Sequence, residues 1–369
     1  MSRSSAAAQP RLGLDDVLAA TARPVAPVPG QRELGDVLVD GPRIGSFCTG
    51  YGGLDNAVQR VLGGDLAWVA DNDSGASRIL THHYPDVPNL GDITVADWQY
   101  VLELFGRLDM AIGGYPCQPF SGAGLQKGIA DVRHIWPFIA RALGVLRPRI
   151  AFFENVRGHL RRGFDVVLAD LAELGFDAEW CTLFASEIGA PHPRERLFIL
   201  AVAQDADCES WVERWLAASR QTEGRRARPD ACGRDRVAAA DADSLAARRR
   251  EVAGSLAGAT GTDAEEARGR RGNAAAVHSG GELVWGKYAP AVARWEAIRG
   301  VRAPRAVNDR GLLSPEFEEW MLGLDPGHVT GVPGLGRNAQ LKALGNGVVP
   351  QQAEAALRML LARRFGLTA

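Results

Sequence analysis

The sequence has no apolar run approaching the roughly 20 residues needed to cross a bilayer. Its start carries Ala6-Ala7-Ala8 but no apolar signal core, which argues against export. Cysteine is scarce: five residues, at 48, 117, 181, 208 and 232, with no C-x-x-C among them. An odd count without that spacing argues against a disulfide framework or a zinc cluster and fits a reducing cytoplasm. An excess of one charge is also missing, since 42 Lys and Arg stand against 44 Asp and Glu. A nucleic-acid partner therefore has to meet a local basic patch, not the whole surface. No internal repeat stands out. The 369 residues, 46% of them hydrophobic, suffice for a full core and fit about two domains.

Residues 1–42 are rich in Ala, Pro, Ser and charge, with prolines at 24, 27 and 29. They predict a disordered tail with one helical turn at Leu14–Ala20. From about 43 to 203, strand-like runs alternate with helical segments. The strands are expected at Ile44–Cys48, Leu66–Ala70, Asp109–Ile112, Ile150–Phe153, Ala178–Ala185 and Leu197–Ala203. The helices are expected at Leu54–Leu62, Gly75–His83, Ile135–Leu146 and Phe164–Leu174. That alternation predicts an α/β fold with a doubly wound, mainly parallel sheet. Between 204 and 281 Ala, Arg, Asp and Gly dominate, with basic runs at Arg225-Arg226, Arg248-Arg249-Arg250 and Arg268-Gly269-Arg270-Arg271. This stretch reads either as a solvated, poorly ordered insertion or as an arginine-rich element that contacts phosphates. Aromatic residues return with Trp285, Tyr288 and Trp295, and amphipathic helices are expected at Glu316–Leu322 and Gln351–Phe365.

The stretch 113–121, GGYPCQPFS, directly follows the apolar run Leu108–Ile112. Pro116 and Pro119 fix the backbone on both sides of Cys117. A rigid loop at the C-terminal end of a strand is where open α/β sheets place their chemistry, so Cys117 is a candidate nucleophile. The alternative is a buried structural thiol in a Pro-rich turn. Phe152-Phe153-Glu154-Asn155-Val156 is a second apolar strand ending in an acid, expected at the same sheet edge. Glu154 reads either as a cap or ion-paired acid, or as a partly buried carboxyl that hydrogen-bonds a heterocycle. Pro191-His192-Pro193-Arg194-Glu195-Arg196 precedes the last strand. One of its arginines is expected to enter the site and the other to brace it. His192, His82 and His83 read as packing, backbone-bonding or surface residues, because no ligand cluster accompanies them.

The first strand runs into Thr49-Gly50-Tyr51-Gly52-Gly53 and then a helix, the arrangement of a nucleotide cradle. Asp71, about twenty residues on, is placed to accept ribose hydroxyls. Asp92, in Gly91-Asp92-Ile93, is a further strand-end acid. The missing third spaced glycine favours a nucleoside-type ligand without a pyrophosphate. Gly345-Asn346-Gly347, before Val348-Val349-Pro350, is expected to open the last helix and either complete this pocket or cap the helix.

These motifs, in this order, resemble the DNA cytosine-5 methyltransferases, in a form similar to phage and actinobacterial members. Ser46–Gly53 is similar to the family's first motif, and Leu313-Ser314-Pro315-Glu316 through Trp320-Met321-Leu322-Gly323-Leu324 to its ninth. The resemblance covers about 43–203 and 311–355. It implies the S-adenosylmethionine-dependent methyltransferase fold, an S-adenosylmethionine cofactor and double-stranded DNA as partner. It further implies a flipped cytosine, no metal, and action as a monomer in the cytoplasm. Cys117 matches the nucleophile, Glu154 the acid on the base edge, and Arg196, supported by Arg194, the arginine on the base carbonyl. Cys48, Gly50, Tyr51, Gly52, Gly53, Asp71, Asn72, Asp92, Ile93, Pro116 and Asn346 match cofactor contacts. The implied division is a tail (1–42), a catalytic domain (43–203), an insertion with the target-recognition region (204–310) and a part completing the catalytic domain (311–369). Three departures stand out. Cys48 occupies a position usually held by Phe, with Phe47 one place early. Asn72 replaces a bulky residue, and His192-Pro193 replaces a Gln and a basic residue. An RNA cytosine-5 methyltransferase and a non-catalytic DNA-binding relative remain alternatives, the latter disfavoured by intact Cys117, Glu154 and Arg196.

Overall fold

Six strands form one sheet. The computed structural model describes residues 41–116, 135–204, 208–226, 277–279 and 282–366. The strands are β1 (Arg43–Phe47), β2 (Asp65–Ala70), β3 (Met110–Gly114), β4 (Ile150–Val156), β5 (Phe176–Phe184) and β6 (Glu195–Ala203). Their order is β2-β1-β3-β4-β6-β5. β1 pairs in parallel with β2 and β3, and β3 in parallel with β4, while β6 runs antiparallel to both β4 and β5. β6 is thus the reversed strand of the six. Chain order doubles back at β1, with β2 on one side and β3 on the other. This is the switch point where the C-terminal ends of two strands splay apart and leave a crevice.

Helices cover both faces, which is why β3 and β4 are buried along nearly their whole length. α1 (Gly53–Leu62), α2 (Ser74–His83), α3 (Trp98–Phe105), α4 (Trp136–Leu146) and α5 (Phe164–Glu173) lie between or beside the strands. Asp73 and Asp97 cap α2 and α3, each accepting two backbone N–H groups of the first turn. The C-terminal region adds α6 (Cys208–Arg226), the short hairpin β7 (Val277–Ser279) and β8 (Glu282–Val284), then α7 (Ala289–Arg299), α8 (Pro315–Met321), α9 (Arg337–Asn346) and α10 (Pro350–Phe365). On one face Ile44, Val58, Val61, Trp215, Leu357 and Leu360 form a common core from β1, α1, α6 and α10. On the other, Phe47, Trp98, Trp136, Leu143, Phe153 and Val167 join the sheet to α3, α4 and α5. A third cluster, with Tyr51, Ile79, Trp295, Trp320, Val329 and Leu344, gathers around the loop after β1.

The strands fall where the sequence places them, within one to three residues at their ends. Several findings differ from expectation. Helices α3, α7 and α9 were not anticipated; α3 buries Trp98 and Val101 and packs Leu102 and Phe105 against the second core. The sheet core does not stop at residue 203, because Cys208, Val212 and Trp215, at helical spacing, bury one face of α6. Ser219 Oγ donates to Arg60 O at 3.3 Å, tying α6 to α1. Gly345-Asn346-Gly347 does not open the last helix: Asn346 ends α9, Gly347 caps it, and α10 starts at Pro350. The tail at 1–40, with Leu14–Ala20, and the stretch 227–276 lie outside the described residues. Among the described residues no helix is long and apolar enough to cross a membrane.

Trp215 is 1% exposed at the centre of the α6 contact. Trp215→Ala is expected to lower unfolding free energy by about 3–5 kcal/mol, the usual cost of truncating a buried aromatic. Urea denaturation checks this; a loss under about 1 kcal/mol would make α6 an appendage and not part of the core.

Candidate functional site

β1 delivers the chain to a loop of unusual backbone. Cys48 has φ of 50°, rare for a residue with a Cβ, and Gly50 and Gly52 follow at 61° and 80°. α1 starts at Gly53 with no side-chain cap, a helix start whose dipole favours an anion. Asp71, at the end of β2, fixes the loop: its Oδ2 accepts Gly50 N–H and its Oδ1 accepts Asp73 N–H, each at 2.9 Å. A carboxylate has about four acceptor positions, so two remain open. Burial raises the Asp71 pKa against these two hydrogen bonds. Burial also acts on Asp92, but hydrogen bonds from Thr94 and Asn72 outweigh it and hold that carboxyl below its usual range.

Phe47 is fully buried, its ring edge-on to Trp68 and Trp98 at 5.1 and 5.4 Å. Phe47 and Cys48 both line the cavity. Burial, with Asp71 and Asp92 nearby, pushes the Cys48 thiol pKa up, so it stays neutral and unreactive.

The C-terminal segment closes the other side. Tyr51 Oη donates to Val348 O at 2.6 Å, and a Cβ on Gly347 would lie 1.7 Å from the Tyr51 ring, so only glycine fits there. Arg194 Nη2 donates to Gly345 O and Gly347 O at 3.1 and 2.6 Å, binding carbonyls at the end of α9. Cys48, Gly50, Tyr51, Gly53 and Asn346 meet on this one cavity, beside Gly113 and Gly114 of β3. Gly52, Asp71, Asn72, Asp92 and Ile93 stand around the loop but outside that lining, and Ile93 packs into the second core. Pro116 is exposed, just past the end of β3.

Because β6 runs backwards, its start lies at the same sheet edge as the end of β4, with Arg196 opposite Val156. Arg196 Nε meets Glu154 Oε1 at 2.7 Å, and both side chains are largely buried. Burial raises the Glu154 pKa; Arg196 and Arg194 pull it down without cancelling that effect. Gly114 stands opposite Glu154 in the β3–β4 register. Glu195, between the two arginines, pairs with Arg157 at 3.0 Å. His192 Nε2 lies 3.1 Å from Met321 O, and His83 stacks on His328 at 4.1 Å.

Cys117 lies outside the described residues, but the chain leading to it is described. Tyr115 Oη and His159 Nε2 are 2.9 Å apart, and His159 Nδ1 is 3.0 Å from Arg162 O. Asn155 Nδ2 donates to Tyr115 O at 3.4 Å. Tyr115, two residues before Cys117, is thus held by the end of β4 and the segment that follows it.

Sequence reasoning missed Tyr115, His159 and, above all, Asp55. Asp55 is fully buried on the inner face of α1 and lines the cavity, and neither carboxyl oxygen has a hydrogen bond of good geometry, although the Ser46 hydroxyl and its own N–H stand close. An acid on the apolar stripe Leu54, Val58, Val61, Leu62 was the available signal. Burial pushes its pKa up to about 6 from 3.8.

Among solved structures, a putative DNA modification methyltransferase encoded within an E. coli prophage has a similar fold. It shares 16% identity with a TM-score of 0.51, over 86% of this chain and 98% of that one. The architecture is that of the S-adenosylmethionine-dependent methyltransferases. Residues 43–234, just over half of the sequence, match the family model of the C-5 cytosine-specific DNA methylases, and the chain belongs to that family. A 102-residue stretch is 42% identical to the Type II methyltransferase M.AplI of Arthrospira platensis, 27% of this chain and 30% of that protein. Another, of 156 residues, is 37% identical to M.BanI of Aneurinibacillus aneurinilyticus, 41% of this chain and 35% of that protein. The chain thus spans about a third of the length of these curated relatives.

A carboxyl whose folded pKa lies above its unfolded value favours folding at low pH, and that contribution is lost as pH rises through the folded pKa. For Asp55 the window is about 4 to 6. Without ligand, Asp55→Asn is therefore expected to be more stable than the wild type at pH 7.5, by up to about 3 kcal/mol. The gain should shrink as pH falls from 6 towards 4. Urea titrations at several pH values check this; a difference independent of pH would show that the carboxyl keeps an ordinary pKa.

Proposed function

We propose that the protein is a DNA (cytosine-5-)-methyltransferase. It transfers a methyl group from S-adenosylmethionine to C5 of a cytosine turned out of the duplex, through a covalent adduct on Cys117. Its setting is restriction–modification or the protection of phage DNA, and it works as a monomer in the cytoplasm. The observation that carries this reading is the buried Glu154–Arg196 pair at the sheet edge where β3 leads into Cys117. The cofactor fits the residues present. The uncapped start of α1 suits its carboxylate, the open acceptor positions of Asp71 suit ribose hydroxyls, and the cavity between β1, β3 and α9 lies between them. When bound, S-adenosylmethionine supplies an electrophilic methyl group.

Cytosine C5 is a poor nucleophile. The Cys117 thiolate adds to C6, the ring loses its aromaticity, and the electron pair moves to C5. Glu154, hydrogen-bonded at N3 and the amino group, stabilises the charge that develops in the ring. Arg196 holds that carboxyl in place and faces the base carbonyl. After C5 gains the methyl group, a base removes the C5 proton, the double bond reforms and the Cys117 thiolate leaves. Flipping costs a few kcal/mol, offset by phosphate contacts and pocket hydrogen bonds.

Bisulfite sequencing of DNA from a host expressing the protein is expected to show 5-methylcytosine in a fixed sequence. Tritium transfer to duplex DNA and to transfer RNA distinguishes the alternatives: transfer to RNA alone makes it an RNA enzyme. Duplex binding without transfer makes it a non-catalytic relative. Cys117→Ser should abolish transfer, since a hydroxyl ionises far less than a thiol. Glu154→Gln should slow single-turnover chemistry by about 2–4 kcal/mol while DNA binding stays nearly intact. An unchanged single-turnover rate would remove Glu154 from the reaction.

A further inference from the structure

We propose that Asp55 binds the cofactor, its buried carboxyl accepting the α-ammonium group at the amino-acid end of S-adenosylmethionine. This rests on the reading of the cavity as the cofactor site. Asp55 is the third residue of α1, immediately after the glycine loop. Its side chain forms part of the cavity wall with Ser46, Gly113, Gly114, Asn346 and Val348. It is 0% exposed, and neither carboxyl oxygen has a hydrogen bond of good geometry. The Ser46 hydroxyl stands close enough to ease its charge but does not satisfy it.

A buried carboxyl without partners is costly, and an apolar residue of similar size would stabilise the fold more. An acid near a helix start is often only a partner for the helix dipole, but such an acid is solvated or accepts backbone N–H groups. Asp55 does neither. The uncapped N–H groups of α1 next to it suit an anion. An anion receptor beside an unsatisfied carboxyl is the pattern that matches the zwitterionic end of an amino acid. S-adenosylmethionine carries two cationic centres. The sulfonium has no N–H or O–H donor, whereas the ammonium has three donors for the two orphaned oxygens. The unmet need at Asp55 is for donors as well as positive charge, and that selects the ammonium.

Three ligands separate the possibilities by calorimetric titration: S-adenosylmethionine, with both cationic groups; S-adenosylhomocysteine, with the ammonium alone; and 5′-methylthioadenosine, with neither. Asp55→Asn is expected to weaken the first two alike, by roughly ten- to a hundredfold, the value of one charged hydrogen-bonding contact. Affinity for 5′-methylthioadenosine should not change, which also shows that the variant's pocket is folded. Asp55→Ser, smaller and uncharged, should show the same selectivity. An equal loss for all three ligands would make Asp55 a structural acid of the loop and overturn the proposal. So would a loss confined to S-adenosylmethionine, or no loss at all. Wild-type protein that binds none of the three would instead overturn the reading of the cavity as a cofactor site.

Discussion

The register between β4 and the reversed β6 is the constraint on which the rest of the site depends. It sets Arg196 opposite Val156 and Phe198 opposite Glu154. A slip of one residue would turn every side chain of β6 to the other face, taking Arg196 away from Glu154. Apolar packing fixes this register: Phe152 stacks on Phe198 at 5.9 Å, and β5 covers the far side of β6 along nine pairs. From that register follow the Glu154–Arg196 pair, the Arg194 contacts to the end of α9, and thereby the position of Gly347 against Tyr51. An arrangement of charged groups is thus set by residues that carry no charge.

The buried acids of this chain fall into two kinds. Glu319 is 2% exposed yet fully served. It accepts from Gly327, Val329 and Thr330 N–H and from the Thr330 hydroxyl, at 2.6 to 3.0 Å. That carboxyl organises the loop after α8 and has little capacity left for a ligand. Asp55 has no such partners. Asp71 lies between them, with two acceptor positions engaged and two open. How far each carboxyl is satisfied by its own chain separates structural acids from those that face a ligand.

Much of the sheet was legible because most of its strands carry a short apolar run, a local property. The reversal of β6 was not, since strand direction depends on partners far along the chain. α6 was hidden by its surroundings: Val212 and Trp215 are diluted by a composition of Ala, Arg and Gly that reads as solvated. The loops after β1, β3 and β4 were visible through Gly50-Tyr51-Gly52-Gly53, Pro116-Cys117 and Glu154. The residues that secure them were not. Tyr115 meets His159 across 44 positions and Arg194 meets Gly347 across 153, and no sequence window spans such distances. Asp55 was overlooked for a different reason. Near the start of a helix an acid is ordinary, and only the helix–sheet contact shows that this one is enclosed.

The bond from Tyr51 to Val348 joins residues 297 positions apart. At roughly 5–20 residues per second of synthesis, the first loop waits on the order of 15–60 seconds for the segment that closes it. During translation the glycine loop and α1 emerge with one wall of the cavity missing, and the nascent chain has no complete pocket in which to retain a small molecule. The pocket is therefore completed only once residue 348 has emerged, and a ribosome that stalls before it leaves a chain with β1 to β6 already made and the glycine loop still open.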